Sequence, residues 1–491
     1  MPAPADDTSD EAAAASDDGA REARGASPEP KGASPEPETE SDATFGLRRI
    51  TQTEIEEVCR RHARFLKGKT GGGRANLSLT DLSHLDLSGQ DLANAELNGA
   101  RLFRTRLRGT KLSCANLFAA DLRDADLVGA NLCRADLRGA CLRGADLSEA
   151  QIMDADLRDG LMLKPGRSGE LKAVTYDNQA TDGSRAHMRG ANLSHSKMSN
   201  SFVVQTDLTD TILRNVKLMR ADLSHSNLTG ANLEGADLTD TNFTGAIFRG
   251  AILTAAVLNN TRLESADLSG AMFDLAALAN AQTSGARLPR SLESLDSELG
   301  QILAAHLAWI DSAGKSGRRA DLSTVDLTGQ NLAGVNLAAA ELEGVILKGA
   351  DLTGCILTMA RLPFADLREA KLVGADLRGA NLMRATLIHA DLSHCRGGPV
   401  DLRGATIQQW PASLEHARLV GATIVGGDFH QALLIKANFG RAKLSDLDLS
   451  DADLRDADFT GATMTGVKFA GADLRGARGL GDDAGWSRDE D

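Results

Sequence analysis

Large apolar residues recur at every fifth position over most of the chain. The first series runs from Leu77 to Leu157, and sixteen of its seventeen positions are Leu, with Ile152 as the exception. A small residue, most often Ala, stands two places before most of them, and Asp or Asn commonly stands one place before. A period of five fits neither an α-helix nor an alternating strand. The pattern therefore predicts a chain that turns regularly and directs one large and one small side chain inward per segment.

Further series keep the same spacing in different phases. They are Met188 to Leu288, Leu322 to Leu392 with a lapse at Gly397 and a resumption at Leu402 and Ile407, and Leu414 to Leu474. Coils that stack and pair their backbones form a solenoid in which each coil contacts only its neighbours. We therefore expect an all-β solenoid over most of the chain.

Three of the repeats read Ala-Asp-Leu-Arg-Gly at 135–139, Ala-Asn-Leu-Glu-Gly at 231–235 and Ala-Asp-Leu-Thr-Gly at 350–354. They resemble the pentapeptide-repeat family, and the resemblance extends over roughly residues 46–478. It implies a right-handed quadrilateral β-helix in which four repeats make one coil and the central Leu or Phe and the preceding Ala point inward. About 17 such coils would measure about 80 Å if they formed one rod. The sequence leaves open whether they do.

An amphipathic helix is predicted before each half of the solenoid. Ile55, Cys59 and His62 share one helical face after a capping box of Thr51 and Glu54, and the second helix carries His306 among leucines. The first coil of a solenoid exposes apolar interior and unpaired edge groups, so we expect both helices to act as caps. Both histidines are expected to lie against the first coil.

The two terminal segments carry most of the net charge of the chain. The net charge is −14, of which residues 1–44 carry −9 and residues 478–491 carry −3, so the body carries −2. The first tail is rich in Ala, Ser, Pro, Glu and Asp, a composition that predicts disorder. The predicted segments are a disordered acidic tail at 1–44, a capping helix and solenoid at 45–290, a second capping helix and solenoid at 291–477, and a flexible acidic tail at 478–491.

Two interruptions of the repeat are the candidate partner-binding segments. Residues 160–185 contain Lys164, Arg167 and Tyr176, and a break near 396–413 contains Trp410. Loops that leave a rigid scaffold commonly carry binding residues. An insertion that is merely tolerated is the competing interpretation.

We expect no catalytic, cofactor-binding or metal-binding residues. The Asp before each Leu belongs to the repeat, and Gly68-Lys69-Thr70 follows a helix instead of opening one, unlike a phosphate-binding loop. No Cys or His cluster has the spacing of metal ligands. The six Cys are expected to be free thiols in a reducing compartment, which favours a cytoplasmic protein.

The function predicted is a non-enzymatic cytoplasmic scaffold that binds another macromolecule, with a protein as the expected partner. A near-neutral body argues against direct nucleic-acid binding, and no apolar run is long enough to cross a membrane. The open C-terminal end closes either through Trp486 or through a homodimer of C-terminal coils, an arrangement known in some members of the family. The resemblance also implies two alternatives, a DNA mimic that regulates or protects a type II topoisomerase and a secreted effector.

Overall fold

The computed structural model describes residues 47–165, 171–174, 181–295, 297–403 and 407–480. The tail predicted at 1–44 lies outside the described residues, as does Trp486. Among the described residues, no helix combines the length and the apolar character that a membrane crossing requires.

The chain forms stacked coils of twenty residues each. Backbone bridges join a residue to the one twenty places later, as between Asp81 and Arg101, so four pentapeptides complete one coil. The Leu122 N–H donates to the Cys141 carbonyl of the next coil at 2.7 Å, and this bond recurs along the stack. Stacking therefore satisfies the backbone groups of each coil through its neighbours.

Each pentapeptide changes direction at a left-handed residue two places after its Leu. Asp124 has a φ of 54°, and the Ala125 N–H donates to the Leu122 carbonyl across this turn at 3.1 Å. Glycine and short polar residues tolerate such a backbone best. This requirement explains why Gly, Asp, Asn and His recur at that place in the repeat.

The Leu and Ala series line the interior, as predicted. Leu117, Leu223, Leu352 and Leu454 are at most 1% exposed. Burying one Leu contributes about 2 kcal/mol relative to leaving it in water. The repeated inward Leu is therefore the main source of cohesion between coils.

Helix α1 spans Gln52–Leu66 and helix α2 spans Leu299–Asp311. The predicted capping box opens α1, because the Glu54 N–H donates to Thr51 Oγ1 and the Thr51 N–H donates to a Glu54 carboxylate oxygen. Ile55 of α1 joins the apolar core of the first coils. The helix therefore lies directly on the start of the first solenoid.

Both predicted histidines are fully buried against the first coils. Nδ1 of His62 accepts the Ala75 N–H at 3.0 Å, and Nδ1 of His306 accepts the Ala320 N–H at 3.1 Å. Each imidazole thus satisfies a backbone N–H where the chain passes from the loop after the helix into the coils.

The strands are short. They are β1 Arg48–Arg49, β2 Thr80–Asp81, β3 Met162–Pro165, β4 Leu171–Val174, β5 Val400–Arg403, β6 Ile407–Trp410, β7 Thr423–Val425, β8 Lys443–Ser445 and β9 Thr463–Thr465. Strands β1–β2 and β7–β8–β9 pair in parallel, whereas β3–β4 and β5–β6 are antiparallel hairpins. Short 3₁₀ helices occupy Leu275–Asn280 and Leu292–Ser294.

The two hairpins are insertions in the stack of coils. An uninterrupted coil would pair Cys141 with Leu161, but Cys141 bridges to Asp182 instead, so the first insert corresponds to 160–180. In the same way Asn381 would pair with Asp401 but bridges to Ser413, so the second insert corresponds to 400–411. The coil repeat resumes at Thr181 after the first insert and at Ala412 after the second.

The predicted resumption of the repeat at Leu402 and Ile407 is wrong. Leu402 lies in β5 opposite Gln408, and Ile407 opens β6, so both belong to the hairpin. Gly397 is part of the coil instead, because its neighbour Arg396 bridges to Asp376. A glycine at the Leu position hides the repeat there, and two apolar hairpin residues five apart imitate it.

The two solenoids pack side by side and run in opposite directions. Arg384 donates to Asp210 with an Nη2–Oδ2 distance of 2.9 Å, and Arg249 lies 3.5 Å from Glu343. Along the line of contact between the two solenoids, residue numbers decrease in the first solenoid while they increase in the second. The coils therefore do not form one continuous rod.

Candidate interaction surface

The first hairpin lies against a column of turns in the first solenoid. Met162 of β3 packs over Gly99, next to Leu79. Lys164 pairs with Lys172 through the backbone, but its side chain is not among those described. Arg167 and Tyr176 lie outside the described residues. The structure positions the base of this hairpin and leaves its three candidate residues as predictions.

The second hairpin presents Trp410, which is 48% exposed at the end of β6. Side-chain atoms of Val400, Met359 and Trp410 converge on Gly379, where a Cβ would lie 3.1–3.3 Å from each of them. Ile356, three residues before Met359, is 37% exposed. We call Ile356, Met359, Val400 and Trp410 the Trp410 surface.

Sequence analysis identified Trp410 and missed the other three members of this surface. Ile356 stands one place before its Leu, where the repeat usually has Asp or Asn, and Met359 stands at the turn position. Apolar side chains at outward positions were the signal that could have located them. Val400 carried no such signal, because it lies in the hairpin insert.

Paired charges neutralise the outward faces. An Arg one place after the Leu reaches back to the Asp one place before it, as Arg138 does to Asp136 with an Nη2–Oδ2 distance of 2.7 Å. The arrangement recurs in Arg123–Asp121, Arg158–Asp156, Arg368–Asp366, Arg378–Asp376, Arg455–Asp453 and Arg475–Asp473. The hydrogen bond from Arg475 lowers the pKa of Asp473 to about 2. Opposite charges therefore lie side by side at each of these repeats.

Charges also act across the packing of the two solenoids. Burial lowers the pKa of Arg418, and the nearby Arg368 lowers it further. Glu234 of the first solenoid opposes both effects. Arg384 is only 13% exposed in its side chain where it meets Asp210. The Arg384–Asp210 pair therefore joins the two solenoids.

One cavity of about 420 Å³ lies between α2 and the start of the second solenoid. Its lining combines Arg290, Arg318 and Arg319 with Leu295 and Ile302, and includes neither histidine nor cysteine. Over the described part of the chain, no three His, Cys, Asp or Glu side chains are grouped so as to hold a metal ion.

The model of one protein family, described as Pentapeptide repeats, matches eight stretches that together cover more than half of the chain. The stretches are 73–109, 115–159, 186–224, 217–254, 320–358, 360–396, 412–450 and 442–478. No curated protein sequence matches the chain.

Solved pentapeptide-repeat structures are similar to parts of the chain. QnrB1, a plasmid-mediated fluoroquinolone resistance protein, is 14% identical over 42% of this chain and 93% of its own, with a TM-score of 0.32. HetL from the cyanobacterium Nostoc, involved in heterocyst differentiation regulation, is 31% identical over 43% and 94%, with a TM-score of 0.19. Rfr23 from the cyanobacterium Cyanothece is 26% identical over 30% and 91%, with a TM-score of 0.18.

Proposed function

The chain belongs to the pentapeptide repeat family, and from that premise we propose that it is a non-enzymatic cytoplasmic scaffold that binds a protein partner. The Trp410 surface carries the proposal. Tryptophan is among the residues that contribute most to protein–protein binding, and grouped exposed apolar side chains mark interaction sites. The exposed half of Trp410 is not needed to pack the hairpin, because its other half already rests on Gly379.

Charged groups border the Trp410 surface as a polar rim would. Asp376, which bridges to Ile356 and belongs to the same repeat as Gly379, accepts from Arg378 at 2.8 Å and from Arg396 at 2.9 Å. An apolar centre with a polar, solvated rim is the usual anatomy of a protein interface. The arrangement supports a protein partner that covers Trp410 and contacts these arginines.

The first hairpin is proposed as a second contact for a partner. Lys164, Arg167 and Tyr176 offer two cations and an aromatic ring, a combination suited to an acidic segment of a protein. The chain leaves the solenoid where Met162, two residues before Lys164, covers Gly99. The Trp410 surface remains the primary proposal because Trp410 and Ile356 expose apolar surface there.

The paired charges favour this proposal over duplex DNA mimicry. Duplex DNA carries about one negative charge per 1.7 Å of its axis, so a mimic needs closely spaced carboxylates without counterions. Here Asp136, Asp366 and Asp453 each have a guanidinium within 2.7 Å on the same face. Such faces are close to neutral at long range.

We also propose that α1 and α2 close the first coils and that two chains meet at the C-terminal coils. Ile55 and His62 support the first proposal, since both are fully buried between α1 and the coils. Leu474 and Leu480 support the second, because both pack on the core and remain partly exposed at the last coil. Sedimentation velocity should show a dimer that Leu474→Arg converts to a monomer. A monomeric unsubstituted chain would contradict the proposed dimer.

Photo-crosslinking inside the native host tests the partner proposal. A photoreactive phenylalanine replaces Gln409, which is exposed beside Trp410, or Val257, which is 42% exposed on the first solenoid. We expect one discrete protein adduct from position 409 and none from 257. Trp410→Ala should abolish the adduct while leaving the thermal melt unchanged.

Two results would overturn the proposal. The first is the same set of adducts from positions 409 and 257, which would indicate non-specific collision. The second is an adduct at 409 whose yield is unaffected by Trp410→Ala, which would place the binding energy elsewhere.

A further inference from the structure

Two cysteines lie in equivalent repeats of consecutive coils in the first solenoid. Cys114 stands two places after Leu112, and Cys133 stands one place after Leu132. Cys114 is exposed and Cys133 is half-buried. Neither takes part in the core, the packing of the solenoids or the Trp410 surface.

Their backbones are hydrogen-bonded to each other. The Cys114 N–H donates to the Cys133 carbonyl at 2.9 Å. Adding the covalent distance from each of these atoms to its own Cα places the two Cα atoms at most about 6.8 Å apart. Disulfides join Cα atoms roughly 4.4–6.8 Å apart. The backbone therefore needs no rearrangement to bring the pair into bonding range.

An equivalent pair of positions shows where the side chains point. His84 and Phe103 are separated by the same interval of sequence as Cys114 and Cys133, and the His84 N–H likewise donates to the Phe103 carbonyl, at 3.1 Å. Their rings meet edge to face with centroids 5.6 Å apart. Side chains at the places of His84 and Phe103 thus converge across the boundary between coils. The Cys133 Sγ lies 3.8 Å from the Gln151 carbonyl of the following coil and must rotate away from that carbonyl to reach Cys114.

Burial suppresses the reactivity of the other four cysteines. Burial raises the pKa of Cys59 to about 11 and that of Cys141, Cys355 and Cys395 to about 12. The thiolate is the reactive form of cysteine, and these four sites suppress it. Cys114 and Cys133 are the cysteines that solvent reaches.

We propose that Cys114 and Cys133 form a dithiol modification site that closes into a disulfide by exchange with a small disulfide such as oxidised glutathione. The Cys114 thiolate attacks one sulfur of oxidised glutathione, forms a mixed disulfide and releases one glutathione thiolate. The Cys133 thiolate then attacks the Cys114 sulfur and releases the second. The two cysteines lose two protons and two electrons, and one oxidised glutathione becomes two reduced glutathione molecules.

The disulfide would join two coils that are otherwise held by backbone bonds and inward leucines. Coils of a solenoid contact only their neighbours, so separation of adjacent coils is the elementary step of its unfolding. A covalent link at this boundary opposes that step. We therefore expect oxidation to raise the melting temperature of the first solenoid.

The test treats the folded full-length chain with oxidised glutathione and measures intact mass and non-reduced peptides. The unsubstituted chain should lose two hydrogen atoms and yield one peptide pair joining Cys114 to Cys133. Cys114→Ser and Cys133→Ser should each retain a glutathione adduct on the remaining thiol, because the second exchange has no partner.

The matched control is a variant in which the thiol of residue 133 is moved to the preceding repeat. Val128 is half-buried at the same place of its repeat as Cys133, one repeat earlier and opposite Gly109 instead of Cys114. The double variant Cys133→Ser, Val128→Cys should collect glutathione adducts without closing. The proposal is wrong if the unsubstituted chain keeps adducts without the joined peptide, if Cys114 does not react, or if the control closes equally well.

Discussion

Glycine meets a specific steric requirement where the loop after α2 lies against the helix backbone. A Cβ on Gly317 would overlap the backbone of Ala305 and Trp309, and its φ is 75°. Gly329, in a turn of the first coil of the second solenoid, has a φ of 67° and open space where a Cβ would point. Both glycines have a left-handed backbone, but only at Gly317 would an added Cβ meet other atoms.

Alanine at each glycine should separate these two effects. We expect Gly329→Ala to lower the free energy of unfolding by about 1 kcal/mol, the penalty of left-handed backbone for an L-residue. Gly317→Ala should cost about 3 kcal/mol, because the loop must also move away from α2. Urea denaturation measures both, and equal losses would contradict the close approach.

Burial of His306 predicts a dependence of stability on pH. Burial lowers its pKa, the Ala338 carbonyl opposes this effect, and Arg319 adds to it. The unfolded chain then binds a proton more readily than the folded one as pH falls below about 6.5, so stability is present above that pH and is lost below it. We expect the urea midpoint to fall between pH 7 and pH 5.

The variant His306→Asn keeps an acceptor for the Ala320 N–H and cannot be protonated in this range. Its urea midpoint should depend less on pH than that of the unsubstituted chain. His389→Asn, which removes an exposed histidine, is the control and should leave the slope unchanged. Identical slopes for all three chains would remove His306 as the cause.

Individual side chains were predictable where the repeat or a helical face determines them. The inward leucines and both buried histidines follow from spacing alone. The bond from the Ala75 N–H to His62 does not, because it depends on how the loop after α1 returns to the coil. The approach of Met359 and Trp410 to Gly379 likewise joins residues that are far apart in the sequence.

At the scale of elements, the two hairpins interrupt the repeat without interrupting the stack. By the bridges that span them, the inserts correspond to 160–180 and 400–411. Neither range has a length divisible by five, which is why the apolar series changes phase after each. Coils on the two sides of an insert nevertheless pair directly.

Deleting residues 160–180 should therefore leave a folded protein. Asp159 would be followed by Thr181, which restores the five-residue phase, so we expect the melting temperature to change by only a few degrees. Circular dichroism during heating measures this. Deleting 160–179 is the control, because the extra residue would shift the junction out of phase and lower the melting temperature far more. Equal melts would contradict the assigned junction.

The helices and the existence of two breaks were predictable from periodicity and phase. The hairpin structure was not, since antiparallel pairing depends on contacts that the five-residue pattern does not encode. Leu402 and Ile407 show the difficulty, because their spacing is the same as that of the coil. Bridges such as that from Asn381 to Ser413 reveal that the stack continues past them.

On the scale of the whole molecule, Arg384 and Asp210 join the two solenoids with side chains 13% and 28% exposed. Arg384→Glu places two carboxylates together and should lower the free energy of unfolding by about 2 kcal/mol. The double variant Asp210→Arg, Arg384→Glu should recover most of the loss. Urea denaturation of the unsubstituted chain, both single variants and the double variant measures the coupling.

The control for this cycle is Arg455, whose partner Asp453 belongs to the same repeat. Arg455→Glu should cost less than Arg384→Glu, because the Arg455 side chain is 44% exposed and that of Arg384 only 13%. A coupling near zero between positions 210 and 384 would mean that the side-by-side packing does not depend on this contact.

The packing of the solenoids could not be predicted from the repeat. Phe364 is only 9% exposed because it lies against Gly250 and Gly270 of the first solenoid. Ile247 and Val257 are also apolar at outward positions, yet they are 38% and 42% exposed. An outward apolar residue therefore signals a contact surface without telling which face meets which.

The opposite directions of the two solenoids determine how the molecule would respond to tension. Both solenoids extend in the same direction from the segment that links them. A force applied to residues 47 and 480 therefore pulls the two solenoids from the same end. A load applied there reaches the Asp210–Arg384 contact first and Phe364 later. The solenoids would peel apart one turn at a time, at a lower force than sliding all contacts together would require.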